Sequence, residues 1–307
     1  MTRNARQRLA IMRIAMGSYA VIWTLVRAAN IIDTVQQPAR RFDPVGPLWF
    51  LNDPLPVGVT VAAVAIVVVA GAALVLGWQY RITAPATAVA FLFVSTYRNS
   101  WGHIIHTENL LSMQLVVLAI APAATVWALD ARDRSTDTDD ASAFDDGWWA
   151  VKSMAVLAVG AYFVAGVAKL RISGMHWLDG DVLLHQISFD NARKIEIGAP
   201  ASPLASSFVS QHWLMAPAAL GALLIELGAP IALIRERLAM IWVTLAVLMH
   251  FGILAIMYIL FPYQLLVIAM FPLLPVEVFV VKGLRRGGDP RRPTPTLPST
   301  VESELQR

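Results

Sequence analysis

From Val57 to Leu76 the chain carries no charged side chain, only Thr60 among apolar and small residues. As a helix rising about 1.5 Å per residue, such a run is long enough to cross a hydrocarbon core about 30 Å thick. Inside a bilayer every backbone N–H and C=O must be satisfied within the protein, which leaves the helix as the structure for an isolated apolar run. Composition extends the argument to the whole chain. Of 307 residues 57% are hydrophobic and 15% charged, with a mean hydropathy of +0.60, whereas a soluble domain carries roughly 25% charged residues.

The apolar runs predict an all-α, polytopic membrane helix bundle of about eight transmembrane helices. They lie near 11–31, 56–77, 82–97, 109–129, 149–170, 213–234, 238–260 and 262–282. The third run is the shortest. The last holds Pro262, Pro272 and Pro275 and is expected to kink. Phe261-Pro262-Tyr263 leaves room only for a tight hairpin between the last two. The N-terminal Arg3, Arg6 and Arg8 before an apolar run imitate a signal peptide, but the run continues to Ile32 and reads as a retained first helix.

Basic residues fix an expected orientation. Arg3, Arg6, Arg8, Arg13, Arg81, Arg132, Arg134, Lys152, Arg235, Arg237 and the basic residues of the C-terminal tail fall on one side. Arg40, Arg41, Arg98, Arg171, Arg193 and Lys194 fall on the other. The positive-inside rule then places both termini in the cytoplasm of a multi-pass cell-membrane protein. Residues 1–282 form the membrane domain, and 283–307, rich in Pro, Arg and Ser, a disordered cytoplasmic tail. The acidic stretch 130–147 reads as a wet loop on the same side. Arg171–His212 mixes Val182, Leu183, Leu184, Ile187 and Phe189 with polar residues, which suits either a short amphipathic helix in the outer interface or a covering loop.

The net charge of +3 is spread over loops and tails flanking the spans, so the bilayer, not nucleic acid, is the expected partner. With no cysteine there is no disulfide, thiolate metal site or thiol redox chemistry, and no metal is expected. Phosphate-loop, His-Glu-x-x-His and Gly-x-Ser-x-Gly motifs are absent.

Ionisable groups within spans are candidates for function. Glu226, near the middle of the sixth run, must be protonated, paired or wet; a structural carboxyl bonded to a carbonyl freed by Pro230 is the alternative. His250, in the seventh run, fits either a site or a helix–helix hydrogen bond. Lys169 lies roughly 31 Å beyond Trp148 at helical rise, which puts it at the outer boundary. There it either snorkels to headgroups or joins a pocket. His103, His106, Glu108 and Asn109 gather at the same boundary, as do Trp177 and Asp179. Taken together, Lys169, Glu226 and His250 are expected to face one polar pocket open to the outside, joined by a group from Gly102–Asn109. Trp177-x-Asp179-Gly180 is expected to position the outer loop, with Asp179 capping a helix at 181–186.

Tyr162-Phe163-x-Ala165-Gly166-Val167-x-Lys169-Leu170 followed by Trp177-x-Asp179-Gly180 resembles the lysine segment of vitamin K-dependent gamma-carboxylase. More broadly the chain is similar to the HTTM (horizontally transferred transmembrane) domain family, including the sporulation-delaying-protein B group, over roughly 10–280. Supporting matches are His106-Thr-Glu108-Asn109, Glu226-Leu-Gly-x-Pro230, and His250 with Phe261-Pro-Tyr263. The resemblance implies Lys169 as the base that activates a vitamin K or menaquinone hydroquinone. The shared polar pocket adds Glu226 and His250 as further catalytic candidates and His103, His106, Glu108, Asn109, Trp177 and Asp179 as substrate-binding candidates. The carboxylase's large extramembrane region and its disulfide have no counterpart here, so protein glutamyl carboxylation is not expected. Two readings follow: a membrane enzyme acting on a quinone-like or lipid-like substrate, and a non-enzymatic component for processing, export or assembly of a membrane or secreted partner. A transporter is disfavoured, because no duplicated half with paired broken helices is visible.

Overall fold

The run at 57–76 forms one unbroken helix, and its ends explain its length. The computed structural model describes residues 4–102, 104–131 and 147–280, and among these there is no β-strand. The first helix, α1, spans Ala5–Thr34 and is capped by Asn4, whose side chain accepts the Gln7 N–H at 3.1 Å. Its buried face, Leu9, Met12, Met16, Tyr19 and Trp23, repeats at helical spacing and packs on α2, Val57–Leu76. Gly77 ends α2 with φ +65°, and the N–H of Trp78 returns to Ala73 O at 3.0 Å. A Cβ at Gly77 would lie 2.4 Å from that of Ala128, so glycine serves both the turn and the close approach.

A hairpin leads into α3, Tyr80–Asn99. Asp130, read from sequence as part of a wet loop, caps it: its carboxylate accepts the N–H groups of Gln79 and Tyr80, each at 2.8 Å. The following α4, Asn109–Ile120, stops short of the expected 129 because Ala121-Pro122 breaks the hydrogen-bond ladder. The segment behind it is held by Arg13. That guanidinium is fully buried and donates to Ala123 O at 3.0 Å, Leu74 O at 2.8 Å, and Val75 O and Trp127 O at 2.5 Å each. Arg13 is therefore not one of the loop charges that set orientation.

The second half begins with α5, Trp148–Ser173, which Gly174 terminates at φ +58°. A 3₁₀ turn at Gly174–Trp177 leads to α6, Asp181–Glu196, and to the short α7, Ala205–Ser210. Then come α8, Met215–Leu227, continued through Pro230 as a 3₁₀ turn at Ala229–Leu233, and α9, Glu236–Met257. The expected last span is interrupted: α10, Pro262–Leu265, passes through Val267 at φ +63° into a 3₁₀ turn at Ile268–Leu273. Prolines at 262, 272 and 275 remove the amide hydrogens a continuous helix would need. Its end is tied to the first helix by Arg8, whose Nε and Nη2 donate to the two Glu277 carboxylate oxygens at 2.7 Å each.

The fold is a helical membrane bundle. Among the described residues, four segments are long and apolar enough to cross a membrane: α1, α2, α5 with its following turn to Trp177, and α9. Of the other expected spans, α3 is long enough but less apolar, with Arg81 and Arg98 near its ends, and the rest are shorter or broken at proline. Outward-facing Val61, Ile66 and Val69 on α2 and Ile241, Leu248 and Phe251 on α9 leave an apolar surface of the kind lipid covers. The tail 283–307 and the loop 132–146 lie outside the described residues.

Candidate functional site

Gly166 lets α5 and α8 come together. A Cβ there would lie 2.9 Å from Leu227 Cδ2 and 3.0 Å from Glu226 Cβ. One turn further along α5, Lys169 Nζ donates to Glu226 Oε1 at 2.5 Å and Oε2 at 2.7 Å. The Lys169 side chain is 25% exposed and that of Glu226 8%, so the amine turns inward to its partner and keeps one open side. A buried carboxylate left alone would be costly, and this contact offsets the desolvation of both groups. The amine also stands 5.2 Å above the Trp177 ring, whose Nε1–H donates to Ala219 O at 3.0 Å.

Lys169, Glu226, Trp177 and Gln186 form the polar end of a cavity of about 480 Å³ among α5, α6, α8 and α9. Ile225, Met249, Ile253, Ile256 and Phe261 make the rest apolar. Helix α6 roofs it. Asn191 donates to Ile256 O at 3.2 Å and accepts the Ser202 N–H at 2.9 Å, and Ser202 Oγ donates to Ala255 O at 2.5 Å. Lys194 adds a hydrogen bond to Met257 O, so the roof is fixed to the end of α9.

His250 is buried one ring behind this wall. Its Nδ1 pairs with Ala246 O at 2.8 Å, and its ring meets Phe261 at 4.9 Å and Tyr162 at 5.7 Å. Tyr162 stacks edge-on against Trp242 at 4.9 Å, and its buried hydroxyl has no hydrogen-bond partner among the described residues. His106 reaches the other side of Phe261 at 6.1 Å between ring centres. The structure thus joins Lys169, Glu226 and Trp177 directly, and sets His250 and His106 against a residue of the cavity wall.

The remaining candidates go elsewhere. Glu108 is buried among α1, α3 and α4, accepting the Trp23 indole N–H at 2.9 Å, with Arg27 and Arg98 over the Trp23 ring at 5.6 and 5.9 Å. Asn109 is exposed at the start of α4, and His103 lies outside the described residues. Asp179 is exposed and pairs with His176 at 3.4 Å; the expected helix does follow it, but Gly180 holds the cap position with no side-chain hydrogen bond. Gly180 instead seats the turn. At φ +84° its Cβ position is 2.5 Å from Ala216 N, so the loop rests on the start of α8. Tyr162 and Phe261 were present in the sequence motifs but not singled out. For Tyr162 the readable signal was its place two turns before Lys169, on the same helix face.

Among the described residues no group of three or more histidine, aspartate or glutamate side chains is placed to hold a metal. The family model for the HTTM domain matches residues 3–275. No curated protein and no solved structure matches the chain.

Proposed function

Because the chain belongs to the HTTM domain family, we propose that it is a multi-pass protein of the cell membrane that binds a quinone-like or other lipid-like substrate beside Lys169. Both termini are cytoplasmic in this reading, with 1–282 as the membrane domain and 283–307 as the tail. One observation carries it: the Lys169–Glu226 pair closes one end of an otherwise apolar cavity of about 480 Å³, within the roughly 300–1,000 Å³ typical of small-molecule sites. A hydroquinone of the vitamin K or menaquinone type fits that division, with an oxygen-bearing ring at the polar end and a hydrocarbon tail along Ile225, Met249 and Ile253.

The chemistry is carboxylase-like in its membrane step alone. Transfer of one ammonium proton from Lys169 to Glu226 along their 2.5 Å contact leaves a neutral amine. That amine accepts a hydroxyl proton from the bound substrate, and the apolar walls exclude water from the exchange. His250 and His106 orient Phe261, which faces the substrate.

A second reading, a non-enzymatic component for processing, export or assembly of a partner protein, draws support from the Lys169 amine being held by both carboxylate oxygens and by Trp177. One experiment separates them. Lipids extracted from the purified chain are assayed for prenylated quinone by mass spectrometry, alongside Gly252→Leu, which fills open space in the cavity wall. Aerobic oxidation of added menaquinol is then followed for wild type and Lys169→Met. Co-purified quinone lost in Gly252→Leu, with oxidation lost in Lys169→Met, is expected. Quinone absent from wild type, or equal in both proteins, overturns the binding reading. Bound quinone with unchanged oxidation in Lys169→Met removes the base and leaves the non-enzymatic reading.

A further inference from the structure

The interrupted last segment opens the bundle at the end opposite Lys169. Pro272 and Pro275 replace what would be a helix with turns, and a cavity of about 880 Å³ lies among them, the start of α5 and the start of α9. Its base is Arg8, already neutralised by Glu277 through two 2.7 Å hydrogen bonds and covered by the Trp148 ring at 5.2 Å. Its rim carries Lys152 and Arg235, both exposed and neither bonded to another described residue. Glu236 also lines it, so the rim is cationic by excess, and Arg237 beside Arg235 borders an adjoining hollow. Below the rim the wall turns apolar, with Ala155, Val156, Leu233 and Ala239.

We propose that this cavity binds an anionic phospholipid, with its phosphodiester between Lys152 and Arg235 and its acyl chains along the groove between α5 and α9. The charge pattern selects that occupant. A phosphate group meets two unpaired cations, while the apolar wall a few residues deeper meets hydrocarbon, and a soluble anion would use only the first. Trp148 marks the depth of the interface, where indole rings settle. Basic clusters at the membrane surface attract anionic headgroups, and in the orientation proposed above this is the cytoplasmic leaflet. The site is separate from the Lys169 cavity and stands whether or not that cavity binds a quinone.

The test uses the full-length chain, delipidated in a non-ionic detergent and titrated with dioleoyl phosphatidylglycerol, dioleoyl phosphatidylcholine or inorganic phosphate. Bound lipid is counted by native mass spectrometry. The phosphatidylglycerol is expected to bind one copy tightly and the phosphatidylcholine weakly. Lys152→Gln/Arg235→Gln should weaken phosphatidylglycerol about 25-fold, the product of about fivefold per surface cation. Lys152→Arg/Arg235→Lys should retain binding, which guards against a folding defect. Equal binding of the two lipids, unchanged affinity in the Gln variant, loss in the charge-conserving variant, or displacement of the lipid by millimolar phosphate alone would each overturn the proposal.

Discussion

Lys169 and Glu226 sit on different helices, and each is tolerable in its surroundings because of the other. Removing one leaves an uncompensated charge, a loss of about 3–5 kcal/mol for fully buried pairs. The lysine keeps one open side, so solvent screening lowers the expected loss to about 2–3 kcal/mol. Glu226→Leu alone should therefore destabilise by about that amount, whereas Lys169→Met/Glu226→Leu should recover most of it, as measured by unfolding in mixed micelles. A double variant no more stable than the single one would mean that the pair is not what holds α5 to α8 at this point. Both residues were legible in the sequence, because a charge inside an apolar run is conspicuous. That they face one pocket was expected from the cost of burying charge; their direct contact was not, since nothing in the spacing of 169 and 226 says which faces meet, and Gly166, which sets that approach, is one small residue among many in α5. Glu108 was conspicuous for the same reason and was grouped with Lys169 by depth, whereas the turns of α1 and α3 bring it to Trp23 instead.

Among the elements, α2 was readable almost to the residue, because its boundaries are chemical: Pro56 before it and a left-handed Gly77 after it. The last expected span failed for an equally local reason, three prolines whose combined effect is a break and not a kink. Arg13 was misread because a basic residue near the start of a chain looks like a topological marker. It is a cap in reverse, a cation at the negative end of α2 that also gathers the carbonyls of the 121–131 segment. Arg13→Met should leave those carbonyls without donors and cost about 3–5 kcal/mol, while Lys, with one point charge in place of a planar fork, should recover only part. Thermal unfolding of the three proteins gives the comparison, and a Met variant as stable as wild type would show that the segment finds other donors.

For the whole molecule, orientation is the property that every outer-face statement relies on. Cysteines introduced singly at Ser135 and Ser206 on this cysteine-free background should differ towards an impermeant thiol reagent on intact cells. Ser206, exposed in α7, should react and Ser135 should not until the cells are opened. Equal labelling from outside would overturn the topology, whereas labelling of Ser135 alone would reverse it, and the Lys169 cavity would then face the cytoplasm. The Arg8–Glu277 contact has a different kind of consequence, one of timing. Its partners are 269 residues apart, so at synthesis rates of about 5–20 residues per second the first helix waits roughly 15–55 s for its acidic partner. During that interval Arg8 stays hydrated or pairs with headgroups at the membrane surface. The bundle closes on itself only after the ribosome has delivered Glu277, and a nascent chain arrested before that residue presents a bundle whose first and last elements have not yet been joined.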